Sequence, residues 1–245
     1  MTEPRPRPPT TETESTSTST STSTTTRFGR WTSSEAAAAR AEHPVLLVPL
    51  GATEQHGPHL PLDTDSVIAE RWALALADRR SGVVVAPTLP YGSSGEHQDF
   101  AGTLSIGQDA LELVVIELAR SAATTFETVV FVSGHAGNLD PLRRAISRLR
   151  AEGHDTHLLL PVVAGSDAHA GRTETALMLH LDPEAVRADR AEPGNTEPLG
   201  AIIDRLRSGG VAAVSPNGVL GDPTGASDQE GSRILGDLAA MWPLS

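Results

Sequence analysis

The sequence predicts an α/β fold with a largely parallel central sheet flanked by helices. Short runs rich in Val, Leu and Thr alternate with longer stretches whose apolar residues recur every three or four positions, the pattern of successive βαβ units. The short runs are nearly continuous in apolar character rather than alternating, as strands covered on both faces are.

Taken in chain order, residues 1–26 hold a Pro/Arg stretch and then Ser/Thr repeats from Thr10 to Thr26. Such a segment buries too little apolar surface to offset its ordering entropy, so a disordered tail is expected there. One domain is expected over 27–245. Strands are predicted at 45–50, 83–87, 128–132 and 157–162, and helices at 65–79, 108–125, 139–152, 173–181 and 228–241. Three loops, at 51–64, 133–138 and 164–172, then leave the carboxyl ends of strands, where ligands bind in open α/β sheets.

Composition narrows the chemistry. Lysine and cysteine are both absent, which excludes Schiff-base catalysis, a phosphate-binding Walker lysine, thiol nucleophiles, iron–sulfur clusters and disulfides. The net charge of −12 opposes binding to nucleic acid. The N-terminus has no apolar signal-peptide core, and the apolar runs are far shorter than the ~20 residues of a membrane span, so a cytoplasmic protein is expected. His, Asp, Glu, Ser and Arg remain for catalysis.

The first loop carries Glu54, His56, His59, Asp63 and Asp65 within a dozen positions. Glu54 and His56 are two apart, so on an extended segment both point the same way and can reach neighbouring ions. Asp65 opens the next helix, where it reads equally well as a cap. His135 lies between glycine-flanked positions after the third strand and, alone, reads as an ordinary loop histidine. Glu174, in the block Asp167 to Thr175, alone reads as a helix-start carboxylate. Convergence of the three loops on one sheet edge is what favours a metal centre.

The segment Val48 to Asp65, the block Tyr91 to His97 followed by Phe100-Ala101-Gly102-Thr103, the loop Gly134-His135-Ala136-Gly137-Asn138, the block Asp167 to Thr175 and the late stretch Gly221 to Ser227 together resemble the creatininase family. The resemblance spans about residues 40–240. It implies a three-layer sandwich, a homo-oligomer and a metal-dependent hydrolase of C–N bonds. It also implies two divalent ions, Fe or Zn with Mn as a further candidate, held by Glu54, His56, Asp65 and His135, with Asp65 between them. Creatininase takes a further ligand from a Glu two residues after this His; here that position is Gly137, and Glu174 is the expected replacement. Two ions carry about +4 and the three carboxylates about −3, so one hydroxide brings the cluster near neutrality.

His169 is the candidate proton carrier to the leaving nitrogen, while His59, Glu96 and His97 read as pocket or supporting residues. Aromatic residues that line the substrate in creatininase correspond to Ala136 and roughly Ser166. Chain-wide likeness points to the branch that trims a small modified peptide. The alternatives are hydrolysis of a small cyclic amide or formamide, or a non-catalytic metal-binding scaffold.

Overall fold

A computed structural model of the chain describes residues 26–42 and 44–243. The tail expected at 1–26 lies outside these, Thr26 apart. In chain order the regular elements are α1 (Ser33–Ala39), β1 (Val45–Leu50), α2 (Thr64–Ala77), β2 (Val83–Val85), α3 (Gln108–Ala122), β3 (Thr128–Ser133), α4 (Leu139–Ala151), β4 (Asp155–Leu159), α5 (Arg172–Leu181), α6 (Leu199–Gly209) and α7 (Asp228–Ala240). The four strands form one sheet in the order β2-β1-β3-β4, every pair parallel.

Side-chain alternation along the two central strands builds the layers. Leu47 of β1 and Val130 and Val132 of β3 face one side, where Trp72 of α2, Met178 of α5 and Leu238 of α7 cover them. Leu46, Val48 and Leu50 of β1 and Val129 and Phe131 of β3 face the other, against Leu111 and Val115 of α3 and Leu142 and Leu149 of α4. The result is the three-layer arrangement expected, with both sheet faces dry.

Boundaries differ from the expected ones for identifiable reasons. β2 ends at Val85, ahead of Pro87, which has no N–H to continue a ladder. β4 begins two residues earlier than expected and ends before Pro161; its first residue pairs with Thr128, whose hydroxyl donates to Asp155 at 2.6 Å. Among the described residues two helices, α1 and α6, are not among those the sequence predicts. α1 is opened by a capping box between Thr32 and Glu35. α6 carries Leu199, Ile202, Ile203 and Leu206 at helical spacing between Pro198 and Gly210, a signal present in the sequence.

The order β2-β1-β3-β4 places a topological switch between β1 and β3: the chain leaves β1 toward one edge and returns to β3 on its other side. The carboxyl ends of those two strands therefore open a crevice. Among the described residues no helix is long and apolar enough to cross a membrane.

Candidate metal centre

Two glycines let the crevice close tightly around helix α2. A Cβ on Gly134, just after β3, would lie 2.3 Å from the Asp65 carbonyl oxygen, and one on Gly51, just after β1, would lie 2.5 Å from the Ser66 backbone. Without side chains at these two points, the first turn of α2 drops between the strand ends and carries Asp65 into the middle of the site.

Around Asp65 the structure gathers all five expected ligands. His56 Nε2 is 3.2 Å from Asp65 Oδ1 and 3.9 Å from Glu174 Oε2. His135 Nδ1 is 3.4 Å from Asp65 Oδ2, and its Nε2 is 3.2 Å from Glu54 Oε2. Glu54, His56 and Asp65 are buried; Glu174, held by the Ala170 N–H at 2.6 Å, keeps 21% of its side chain exposed and so faces the adjoining cavity. His169 also enters the cluster, its Nδ1 3.6 Å from Glu54 Oε1.

His97, expected to be a supporting residue, lies closer than that: its Nε2 is 3.2 Å from Glu54 Oε1, and its ring centroid lies 4.3 Å from that of His169 with the planes tilted by 47°. The loop that carries it follows β2, a fourth strand end at the same edge of the sheet, and position relative to β2 is the signal that would have drawn attention to it. His59 is elsewhere, hydrogen-bonded to the Thr175 hydroxyl at 2.9 Å. Among the described residues three triplets have ligand atoms within 4.8 Å of one another: Glu54/Asp65/His135, His56/His169/Glu174 and Glu54/His97/His169.

The cluster has the chemistry of a cation site. Both carboxylate oxygens of Glu54 and Oδ2 of Asp65 are buried and accept no well-aligned hydrogen bond, although imidazole nitrogens approach them at 3.2–3.4 Å. Leaving a buried carboxylate oxygen unpaired costs on the order of 1–3 kcal/mol or more, so orphaned oxygens converging with imidazoles fit a bound metal. Charges within the group respond strongly to one another. Burial pushes Glu54 up to about 7, against the pull of His135. Burial works against a charged His56, but Asp65, Glu174 and Glu54 outweigh it and raise its pKa to about 10. The same carboxylates that favour a proton on His56 favour any cation placed among them, and a divalent ion bound there would displace such a proton. Burial with His135 and His56 lowers His97 to about 3, and burial with His56 and His97 holds His169 well below its usual range.

Main-chain carbonyls orient three of the imidazoles. His56 Nδ1 is 3.1 Å from the Glu54 carbonyl, His135 Nε2 3.0 Å from that of Ser93, and His169 Nε2 2.8 Å from that of Gln55. A carbonyl only accepts, so each of these nitrogens carries a proton. The opposite ring nitrogen, turned to the cluster, is then the one that can offer a lone pair.

Beside the cluster lies a cavity of about 540 Å³. Ala136 and Ser166 line it with small side chains, Glu174 and His169 face it, and Leu199, Ile203 and Leu206 of α6 add an apolar wall.

Residues 29–242 match the creatininase family, described as creatinine amidohydrolase. The mycofactocin precursor peptide peptidase of Mycobacterium ulcerans (strain Agy99) is 50% identical over 218 residues, covering 86% of this chain and 87% of that protein. The creatinine amidohydrolase of Pseudomonas putida is 31% identical over 242 residues, covering 84% and 89%. A crystal structure of creatinine amidohydrolase superposes with a TM-score of 0.72 at 26% identity, covering 87% of this chain and 93% of that one. With the sheet, the five converging side chains and a match across nearly all of the described residues in agreement, the chain belongs to the creatininase family.

Proposed function

We propose that the chain hydrolyses an amide bond in the C-terminal part of the modified mycofactocin precursor peptide, with two divalent ions held by Glu54, His56, Asp65, His135 and Glu174. The observation that carries the metal centre is the set of orphaned, buried oxygens on Glu54 and Asp65. The substrate follows from the 50% identity to a peptidase of that name and from a cavity whose walls at Ala136 and Ser166 are small. Such walls leave room for a chain and offer no stacking surface to a small ring.

Two divalent ions, when bound, supply Lewis acidity toward an amide carbonyl and make water a usable nucleophile at neutral pH. The residues do the rest. Glu54 and Asp65 provide negative charge on one side and Glu174 on the cavity side. His169, with its Nε2–H tied to the Gln55 carbonyl, keeps an unprotonated Nδ1 at the cluster, where it accepts a proton and passes it to the leaving nitrogen. Mixed imidazole and carboxylate donors suit Fe, Zn or Mn, and solved creatininases are described as Zn-Zn type and as Creatininase Mn. Exposed Leu113, Val114 and Leu118 on α3 support a homo-oligomer, and a cytoplasmic location agrees with the composition.

Protein purified without added metal should contain about two Fe, Zn or Mn ions per chain, the complement of a two-metal hydrolase. It should release a C-terminal fragment from the enzymatically modified precursor and leave creatinine untouched. Efficient creatinine turnover with an intact peptide would overturn the substrate, and full activity in metal-free protein would overturn the centre.

A further inference from the structure

Gln55 sits between two proposed ligands, and its buried side chain turns away from the cavity into a network whose polarity is fixed from outside. Its Oε1 accepts the Gly57 N–H at 2.9 Å, and its Nε2 donates to the Gly218 carbonyl at 3.1 Å. A backbone N–H can only donate and a backbone carbonyl can only accept. The reversed amide would set its NH2 against an N–H and its oxygen against a carbonyl, so only one orientation is satisfied. Gly218 comes this close because it lacks a side chain: a Cβ there would lie 1.9 Å from Gln55 Oε1, and its φ is +82°.

The remaining Nε2 hydrogen of Gln55 points to His97 Nδ1, 2.8 Å away. His97 Nδ1 therefore accepts, and the neutral ring carries its proton on Nε2, beside Glu54 Oε1 at 3.2 Å. Gln55 Nε2 is also 3.1 Å from His169 Nε2, but that nitrogen already donates to the Gln55 carbonyl and both amide hydrogens are committed, so the contact is not a hydrogen bond. His97 is thus the inverse of His56, His135 and His169. Those three commit one N–H to a carbonyl and keep the lone pair of the other nitrogen for the cluster, with His135 Nε2 lying also 3.2 Å from Glu54 Oε2; His97 spends its lone pair on the amide donor outside and has only an N–H to turn inward.

We propose that Gln55 is a positioning residue that fixes His97 as the Nε2–H tautomer, which keeps His97 out of the ligand set although its distances to Glu54 and His169 would admit it. The tautomer itself rests on hydrogen bonds alone; its consequence for ligation rests on the metal centre proposed above.

Long-range ¹H–¹⁵N correlation spectra of the full chain, labelled on histidine, read the protonated ring nitrogen directly. His97 is assigned by the signal lost in His97→Gln. In metal-free protein His97 should show a protonated Nε2 and a bare Nδ1. Gln55→Glu supplies an acceptor in place of the donor and should move the protonated signal from Nε2 to Nδ1. On titration with Zn²⁺ alone, the His56 and His135 nitrogens should shift while His97 keeps its Nε2–H. An Nδ1–H form of His97 in the native metal-free protein would overturn the proposal, as would loss of the His97 Nε2–H on adding Zn²⁺. Should Gln55→Glu fail to fold, the native spectrum decides alone. If Zn²⁺ moves none of the histidine signals, the metal centre fails, while the tautomer stands or falls on the metal-free spectrum.

Discussion

Replacing Asp65 by Asn is expected to strip the protein of most of its metal and to lower amide hydrolysis by more than about 100-fold, because losing even an outer partner of a metal ligand costs about 10–100-fold. The amide keeps the shape of the carboxylate, so the first turn of α2 should still fit between Gly51 and Gly134. What it loses is charge at the point where His56 at 3.2 Å and His135 at 3.4 Å meet the same side chain. With Asp65 neutral, about −2 of carboxylate charge would face about +4 of metal, so both ions should be weakened together. Elemental analysis beside a turnover assay reads this. His169→Ala supplies the contrast: a proton carrier can be removed with the metal retained, at about 10²- to 10⁴-fold in rate. Two retained ions and normal turnover in Asp65→Asn would reduce Asp65 to a helix-start carboxylate. Loss of metal in His169→Ala would make His169 a ligand.

Trp72→Ala is expected to destabilise the fold by about 3–5 kcal/mol, the usual cost of deleting a large core aromatic. Trp72 is fully buried where α2 meets the sheet and α7, and its indole N–H donates to the Leu238 carbonyl at 2.8 Å. At about 2–4 °C per kcal/mol for a chain of this size, the midpoint of thermal unfolding should fall by roughly 6–20 °C. The measurement belongs in metal-free protein, since ions that bind only the native state would mask part of the loss. Trp72→Phe, which keeps an aromatic ring and loses the hydrogen bond, should cost less. Equal losses in both variants would place the stabilisation in the N–H contact with α7 rather than in the buried ring.

Much of the fold and part of the site were legible in the sequence, for a common reason. Continuous apolar runs such as 45–50 and 128–132 report burial on both faces, and burial on both faces in alternation with helices leaves few options besides a covered parallel sheet. The same alternation puts every connecting loop on one of two edges. Glu54, His56, Asp65, His135 and Glu174 could therefore be grouped on one edge by the strand or helix end each belongs to, while their selection as a ligand set came from the resemblance to the creatininase family. Tertiary structure decided what no local pattern contains. The fit of α2 between the strand ends depends on Gly51 and Gly134 meeting backbone that is adjacent only after folding. The entry of His97 depends on the loop after β2 crossing the same edge. Which ring nitrogen turns inward is set by groups far off in the chain, the Ser93 carbonyl for His135 and, through Gln55, the Gly218 carbonyl for His97. Hydrophobic periodicity records how deeply a residue is buried; the proton on an imidazole is placed by whichever donor or acceptor the fold brings to its other side.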